Sequence, residues 1–253
     1  METEYFSSNR ADADATYATT IIIPACDEEQ RIGPTLDAYL GHFDEDTEIL
    51  VVMNGCRDRT RDVVCSFLDG RPNLRAIEET DLIGKGGALM IGFRRARGDV
   101  IAYVDADGAT SPEDMQTLLE SMGELSGVIA SRWIDPSVMR VKQSFFRRIA
   151  GRVFNLIVKV MFRIPYHDTQ CGAKAFRREA IEAIRDRLGT TNCAFDVDVL
   201  YLMHKGGYTV KELPLTWVDM PGTKIKMSRD APRMLGAVIR MRIKHSRFKN
   251  LVR

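Results

Sequence analysis

One recurrence constrains this chain more than any other feature. Apolar, largely β-branched runs stand at TTIIIPA (19–25), EILVVMN (48–54), LRAIEE (74–79), DVIAYVDAD (99–107) and GVIASRW (127–133). Helix-like stretches lie between them. Residues 28–42 carry Gly33-Pro34, which sets a firm helix start near Thr35. Residues 58–68 read as a second helix, and Gly84-Lys85-Gly86-Gly87 opens a third that runs to Ala96 before Gly98 stops it. Ser111 followed by Pro112-Glu113-Asp114 is a helix N-cap with proline in the first turn. Strand–helix alternation of this kind predicts an α/β fold: a mostly parallel sheet with helices on both faces and a Rossmann-like nucleotide-binding half. Such sheets bind ligands outside the carboxyl ends of their strands. Asp27, Glu28, Asn54, Asp105, Asp107 and Arg132 all fall there.

The 253 residues suffice for one large α/β domain. Residues 1–18 are polar and acidic and read as a disordered tail, neither a secretory signal nor a transit peptide. We expect the main domain over 19–230 and a basic amphipathic helix over 231–253. No run of about 18 apolar residues occurs, so no transmembrane helix is expected. Five cysteines at irregular spacings (26, 56, 65, 171, 193) point to reduced thiols and a cytosolic setting, and none forms a metal-binding pair. The four histidines are scattered, with no ligand spacing.

The net charge of +1 gives no argument for a nucleic-acid partner, but it is a cancellation. Residues 1–48 hold twelve acids and two bases, whereas 136–167 holds seven bases and no acid, and 221–253 ten bases and one acid. Drawn as a helix, Arg148, Arg152, Lys159 and Arg163 span an arc of about 60°, beside Phe146, Ile149, Val153, Leu156, Ile157 and Val160. Arg233, Arg240, Lys244 and Arg247 form a second stripe. Both segments suit the surface of an anionic bilayer; the competing reading is a core-packed helix with a solvated basic face. No aromatic residues interleave with the bases as nucleic-acid stacking requires.

Asp105 and Asp107 follow an apolar strand directly. A turn there would let two hard carboxylate oxygens share Mg²⁺ or Mn²⁺ with a diphosphate, neutralising charge on a nucleoside-diphosphate leaving group. The competing reading is plain Asp-Gly turn chemistry. Gly84-Lys85-Gly86-Gly87 is not a Walker loop, because Glu79 stands where its first glycine belongs and no Ser or Thr follows Lys85. Glycine N–H groups at a helix entry and the Lys85 charge would suit phosphate oxygens; a solvated glycine turn is the other reading. The guanidinium fork of Arg132 suits a phosphate. Lys224, beside Pro221-Gly222, would close over one on a hinged loop. Asp168 and Asp196 are candidates beside the acceptor. Asp196 would serve as base toward a hydroxyl acceptor or as a positioning group toward a phosphate acceptor, and it also reads as a helix N-cap.

Several motifs, separated along the chain and in the right order, resemble family 2 glycosyltransferases of the GT-A type. They are Pro24-Ala-Cys-Asp27-Glu28, Asn54-Gly-Cys-Arg-Asp58-Arg-Thr60, Gly84-Lys85-Gly86-Gly87-Ala88, Asp105-Ala-Asp107-Gly-Ala-Thr110, Asp168-Thr-Gln-Cys171-Gly-Ala-Lys174, Phe195-Asp196-Val-Asp198 and Gly222-Thr-Lys224. The chain is most similar to the dolichyl-phosphate glucosyltransferase branch, near the dolichyl-phosphate mannose synthases. The resemblance implies an inverting, metal-dependent hexosyltransferase using Mg²⁺ or Mn²⁺. Its expected donor is UDP-glucose, bound by Pro24, Asp27, Glu28, Asn54, Lys85, Asp105 and Asp107. Its expected acceptor is a polyprenyl phosphate held by Arg132, Arg147, Arg148 and Lys224 at the cytosolic membrane face. Asn54 stands where the family has Asp and would meet the base through its amide oxygen. A hydroxyl acceptor, or an inactive membrane-binding adaptor, are the alternatives. Nothing in the sequence sets the oligomeric state.

Overall fold

The computed structural model describes residues 3–7, 16–134, 145–215 and 227–245. Eight strands form one sheet in the order β1-β4-β3-β2-β5-β7-β6-β8. These are β1 (Thr3–Ser7), β2 (Tyr17–Ala25), β3 (Thr47–Asn54), β4 (Leu74–Glu79), β5 (Gly98–Tyr103), β6 (Gly127–Ser131), β7 (Lys174–Arg177) and β8 (Val210–Pro214). The pairs β4–β3, β3–β2, β2–β5 and β6–β8 are parallel; β1–β4, β5–β7 and β7–β6 are antiparallel. The expected mostly parallel sheet is present.

Its strands alternate two sets of side chains into two cores. Ile21, Ile23, Ile49, Val51 and Ala102 face one side and meet α1 (Ile32–His42), α2 (Thr60–Ser66) and α4 (Pro112–Glu120). Ile22, Leu50, Val52, Ile101 and Tyr103 face the other and meet α3 (Gly84–Arg95), α5 (Phe145–Phe162), α6 (Arg178–Arg185), α7 (Phe195–Lys205) and α8 (Met227–Lys244). This explains the runs of consecutive apolar residues. A strand covered on both faces gains about 1.5–3 kcal/mol from each large side chain buried, with no polar alternation to spare. Helix α4 starts as its sequence dictates, with the Ser111 hydroxyl accepting the Asp114 N–H at 3.1 Å.

Two readings at the chain ends need correction. Residues 3–7 are not a disordered tail: they form β1, an antiparallel edge on β4, with Phe6 packed against the core. No apolar period marks that strand, because an edge strand draws its stability from the ladder that β4 offers. The C-terminal helix begins at Met227 rather than 231 and buries Ala237, Val238 and Met241 in the same core as α7. Among the described residues no helix is long and apolar enough to cross a membrane.

Helix α5 departs from an ordinary core helix. Val158 and Phe162 are buried, yet Ile149, Val153, Leu156 and Val160 lie 44–69% exposed, recurring at helical spacing along one outer face.

Candidate active site

Strands β2, β3, β5 and β6 end together, and the polar motifs sit in the turns that follow. β5 stops at Tyr103, two residues before the first aspartate, so Asp105 and Asp107 lie in a turn rather than on the strand. Buried Ala106 and Ala109 anchor that turn in the core. The Thr35 hydroxyl holds the Ala106 carbonyl and the Tyr39 hydroxyl holds the Thr110 carbonyl, each at 3.1 Å. Gly108 takes the left-handed conformation (φ 73°) that lets the chain reverse. Asp107 Oδ1 accepts the Ala109 N–H at 3.1 Å, so the turn-chemistry reading holds in part. Burial, and then the nearby Asp105 charge, push the Asp107 carboxyl above its ordinary range.

Two carboxylates lie close together here, one of them raised by burial and then by the charge of the other. That donor set fits a hard divalent cation in which ligand oxygens and water complete the shell. Among the described residues no third acidic, His or Cys side chain joins them. Space is fixed as well: a Cβ on Gly172 would stand 2.1 Å from Asp105 Oδ2, so only glycine leaves that carboxylate in place.

Lys85 Nζ lies 2.7 Å from Asp105 Oδ1 and 3.5 Å from Asp196 Oδ2. Burial alone would lower the Lys85 pKa, but these carboxylates outweigh it and hold the ammonium form. The glycines beside it serve a purpose not expected from sequence. The Gly84 N–H donates to Asn54 Oδ1 (3.1 Å), and the Gly86 and Gly87 N–H groups both donate to the Thr191 carbonyl (2.8 and 3.3 Å). A Cβ on Gly86 would meet the Thr190 carbonyl at 2.3 Å. These N–H groups are therefore occupied by protein rather than aimed at phosphate. Lys85 is the cation that this loop presents.

Asp196 is the most tightly bound carboxylate of the site. It lies in the first turn of α7, not at the N-cap, which is Ala194; it is 2% exposed, and its Oδ1 accepts from the Tyr103 hydroxyl at 2.8 Å and from Lys174 Nζ at 2.6 Å. Lys174 is wholly buried beneath the Tyr103 ring, its ammonium also donating to the Cys171 carbonyl. Burial would raise the Asp196 carboxyl; Lys174, Lys85 and Tyr103 outweigh it and hold it below the ordinary range. A carboxylate so stabilised is a poor proton acceptor, which argues against the base role and for the positioning one. Sequence reading gave Lys174, named only as part of a motif, and Tyr103 no role. The cue was a lysine three residues after Cys171 at the start of a strand, a place where an unpaired charge is not tolerated.

At the end of β2, Pro24 lies in the strand, and Asp27 takes a left-handed conformation (φ 54°) with Oδ1 accepting the Arg57 N–H at 2.6 Å. The Glu28 N–H donates to Thr60 Oγ1 (2.6 Å) and its carboxylate pairs with Arg31. Asn54 has backbone partners. It is 2% exposed, its Nδ2 donates to the Ala25 carbonyl and its Oδ1 accepts from Gly84. Both ends of the amide are engaged by the backbone, so Asn54 ties β2 to the first turn of α3.

Arg132 and Asp168 form a bidentate pair at 2.7 and 2.9 Å, and Asp168 is wholly buried. Burial would raise the Asp168 carboxyl, but Arg132 holds it low. Asp168 thus orients Arg132 and is not poised to take a proton. Cys171 is buried, its thiol pushed up to about 11 by burial, and is inert at neutral pH. Arg147 and Arg148 lie in the first turn of α5, and Lys224 lies outside the described residues. Beside Arg132, a cleft of about 250 Å³ is lined by Trp133, Arg152, Asn155, Leu156, Lys159, Tyr166 and His167. The Arg152 guanidinium lies over the Trp133 ring, and Trp133 Nε1 is buried without a hydrogen-bond partner among the described residues.

Comparison with known proteins agrees with this arrangement. Residues 20–185 match the family described as Glycosyl transferase family 2. A glycosyltransferase named AglD from Haloferax volcanii is 30% identical over 92% of this chain; the chain covers 39% of that protein's length. A dolichyl-phosphate beta-glucosyltransferase from Drosophila melanogaster is 30% identical over 81% of this chain and 68% of its own. The same enzyme from Dictyostelium discoideum is 29% identical over 94% and 77%. In fold, the chain is similar to glucosyl-3-phosphoglycerate synthase from Mycobacterium tuberculosis, solved with Mn²⁺, UDP and phosphoglyceric acid. The TM-score is 0.70 at 15% identity, over 90% of this chain and 78% of that one.

Proposed function

The chain belongs to glycosyl transferase family 2, and from that premise we propose that it transfers glucose from UDP-glucose to a polyprenyl phosphate at a membrane surface, with inversion at C1. One observation carries the choice of acceptor: the site's buried carboxylates are already committed. Asp196 is held by Lys174, Tyr103 and Lys85, and Asp168 by Arg132. A hydroxyl nucleophile needs a base to take its proton, whereas a phosphate attacks as an anion and needs cations to position it. Arg132 and the cleft with Arg152 and Lys159 provide cations beside the site. The dolichyl-phosphate beta-glucosyltransferase names of the relatives support the same acceptor.

In the reaction, an acceptor phosphate oxygen attacks C1 as the bond from C1 to the diphosphate breaks, giving a β-linked sugar phosphate. Asp105 and Asp107 would hold Mn²⁺ or Mg²⁺, which supplies Lewis-acid neutralisation of the leaving diphosphate. The fold relative crystallised with Mn²⁺ and UDP supports that reading. Lys85, kept charged between Asp105 and Asp196, adds a second positive charge beside the donor.

The exposed Ile149–Val153–Leu156–Val160 face of α5, flanked by the bases of its sequence, would enter the bilayer interface and bring the acceptor's lipid tail alongside. Purified protein incubated with Mn²⁺, UDP-glucose and a polyprenyl phosphate should yield a lipid-linked glucose. Turnover only on an oligosaccharide acceptor would overturn the proposal.

A further inference from the structure

Asp198 lies two residues beyond Asp196 in α7, and its two oxygens meet different parts of the molecule. Its side chain is 1% exposed. Oδ2 accepts the backbone N–H groups of Gly189 and Thr190, both at 3.1 Å. Oδ1 lies 3.1 Å from Nε2 of His245, at the end of the basic helix α8. The His245 side chain is 8% exposed and its ring lies against Tyr201 of α7. Lys205 Nζ donates to the His245 carbonyl at 3.4 Å. The turn that Asp198 holds leads at once to Thr191, whose carbonyl accepts from Gly86 and Gly87, the two residues that follow Lys85.

We infer that His245 is a positioning residue for Lys85. Through Asp198 and the 189–191 turn, it fixes the backbone loop that places the Lys85 ammonium on Asp105. The links are the His245–Asp198 contact, the Asp198 bonds to the Gly189 and Thr190 N–H groups, one step of backbone to Thr191, and the Thr191 bonds to Gly86 and Gly87. Gly84–Gly87 is the first turn of α3, where N–H groups have no partner within the helix; Asn54 Oδ1 takes that of Gly84, and the 189–191 turn takes those of Gly86 and Gly87. That α8 ends in this contact gives the position of a surface helix a direct influence on the donor side. The significance for catalysis rests on the proposed donor chemistry; the mechanical link does not.

Two measurements separate them. Hydrogen exchange needs no ligand. In His245→Ala, the Gly86 and Gly87 amides should exchange on the order of tenfold faster, while β3 amides at 49–52 keep their protection. His245→Gln, whose amide can still donate to Asp198, should restore most of the protection. UDP binding with Mn²⁺, measured by calorimetry, should weaken in His245→Ala and recover in His245→Gln. Unchanged exchange at Gly86 and Gly87 in His245→Ala, or an equal rise in β3, overturns the inference. Altered exchange in a protein whose wild type binds no UDP overturns the donor reading alone.

Discussion

Replacing Asp196 by Asn tests the charge arrangement at the centre of the site. The substitution keeps the shape and removes the charge, leaving Lys174 wholly buried with an ammonium bonded to the Cys171 carbonyl and no carboxylate beside it. Lys85, 19% exposed and still 2.7 Å from Asp105, does not take the place of that carboxylate for Lys174. Removing one partner of a buried ion pair costs about 3–5 kcal/mol, because the other charge stays desolvated. Against a total stability on the order of 5–15 kcal/mol, that is a large fraction. It should lower the melting temperature by on the order of 10 °C at this chain length. Urea denaturation at neutral pH measures it directly. The double variant Asp196→Asn/Lys174→Met removes both charges and should recover at least half of the loss, a coupling that only a direct pair produces. The sign with pH also follows. The folded pKa of Asp196 lies below its unfolded value of about 3.9, so its contribution is present above that pH and lost as pH falls through the folded value. An Asp196→Asn protein as stable as wild type, or a double variant no better than the sum of the singles, would refute the reasoning.

Other outcomes follow from the same geometry. Asp107→Ala should reduce Mn²⁺-dependent turnover at least ~100-fold; an unchanged Mn²⁺ titration of the rate would remove the metal assignment. Gly172→Ala, which puts a carbon 2.1 Å from Asp105 Oδ2, should lower kcat/KM by about 10–100-fold with the circular dichroism spectrum retained. Leu156→Asp/Val160→Asp alters side chains 61% and 69% exposed, so it should leave the melting temperature within a few degrees and reduce sedimentation with anionic vesicles. Wild-type binding to those vesicles should weaken as salt rises, and insensitivity to salt would remove the basic segments from the account. Arg132→Gln leaves Asp168 buried without its bidentate partner and should lower the urea midpoint, whereas a midpoint equal to wild type would show that Arg132 is not needed there.

The sequence by itself determined the sheet. Runs such as Ile21–Ile23 and Ile49–Met53 are apolar at every position, and only a strand covered on both faces satisfies that. It also determined that Asp27, Asn54, Asp105 and Arg132 would gather, because the ends of neighbouring strands in a mostly parallel sheet share one edge. Local chemistry settled the Ser111 cap and the Asp105–Asp107 turn. What those side chains bond to was decided by tertiary structure alone. Asn54 spends both ends of its amide on backbone that approaches from β2 and from the Lys85 loop. Asp196 is neutralised by a lysine 22 positions earlier in the chain. The glycines of the Lys85 loop admit the Thr190–Thr191 backbone from more than a hundred residues away. The edge strand at Thr3–Ser7 exists because β4 offers it a ladder. Hydrophobic patterning is a local property repeated along the chain and can be read in one dimension. A hydrogen bond or ion pair depends on a partner within about 3 Å, and the spacing of residues in the chain does not say which group will arrive.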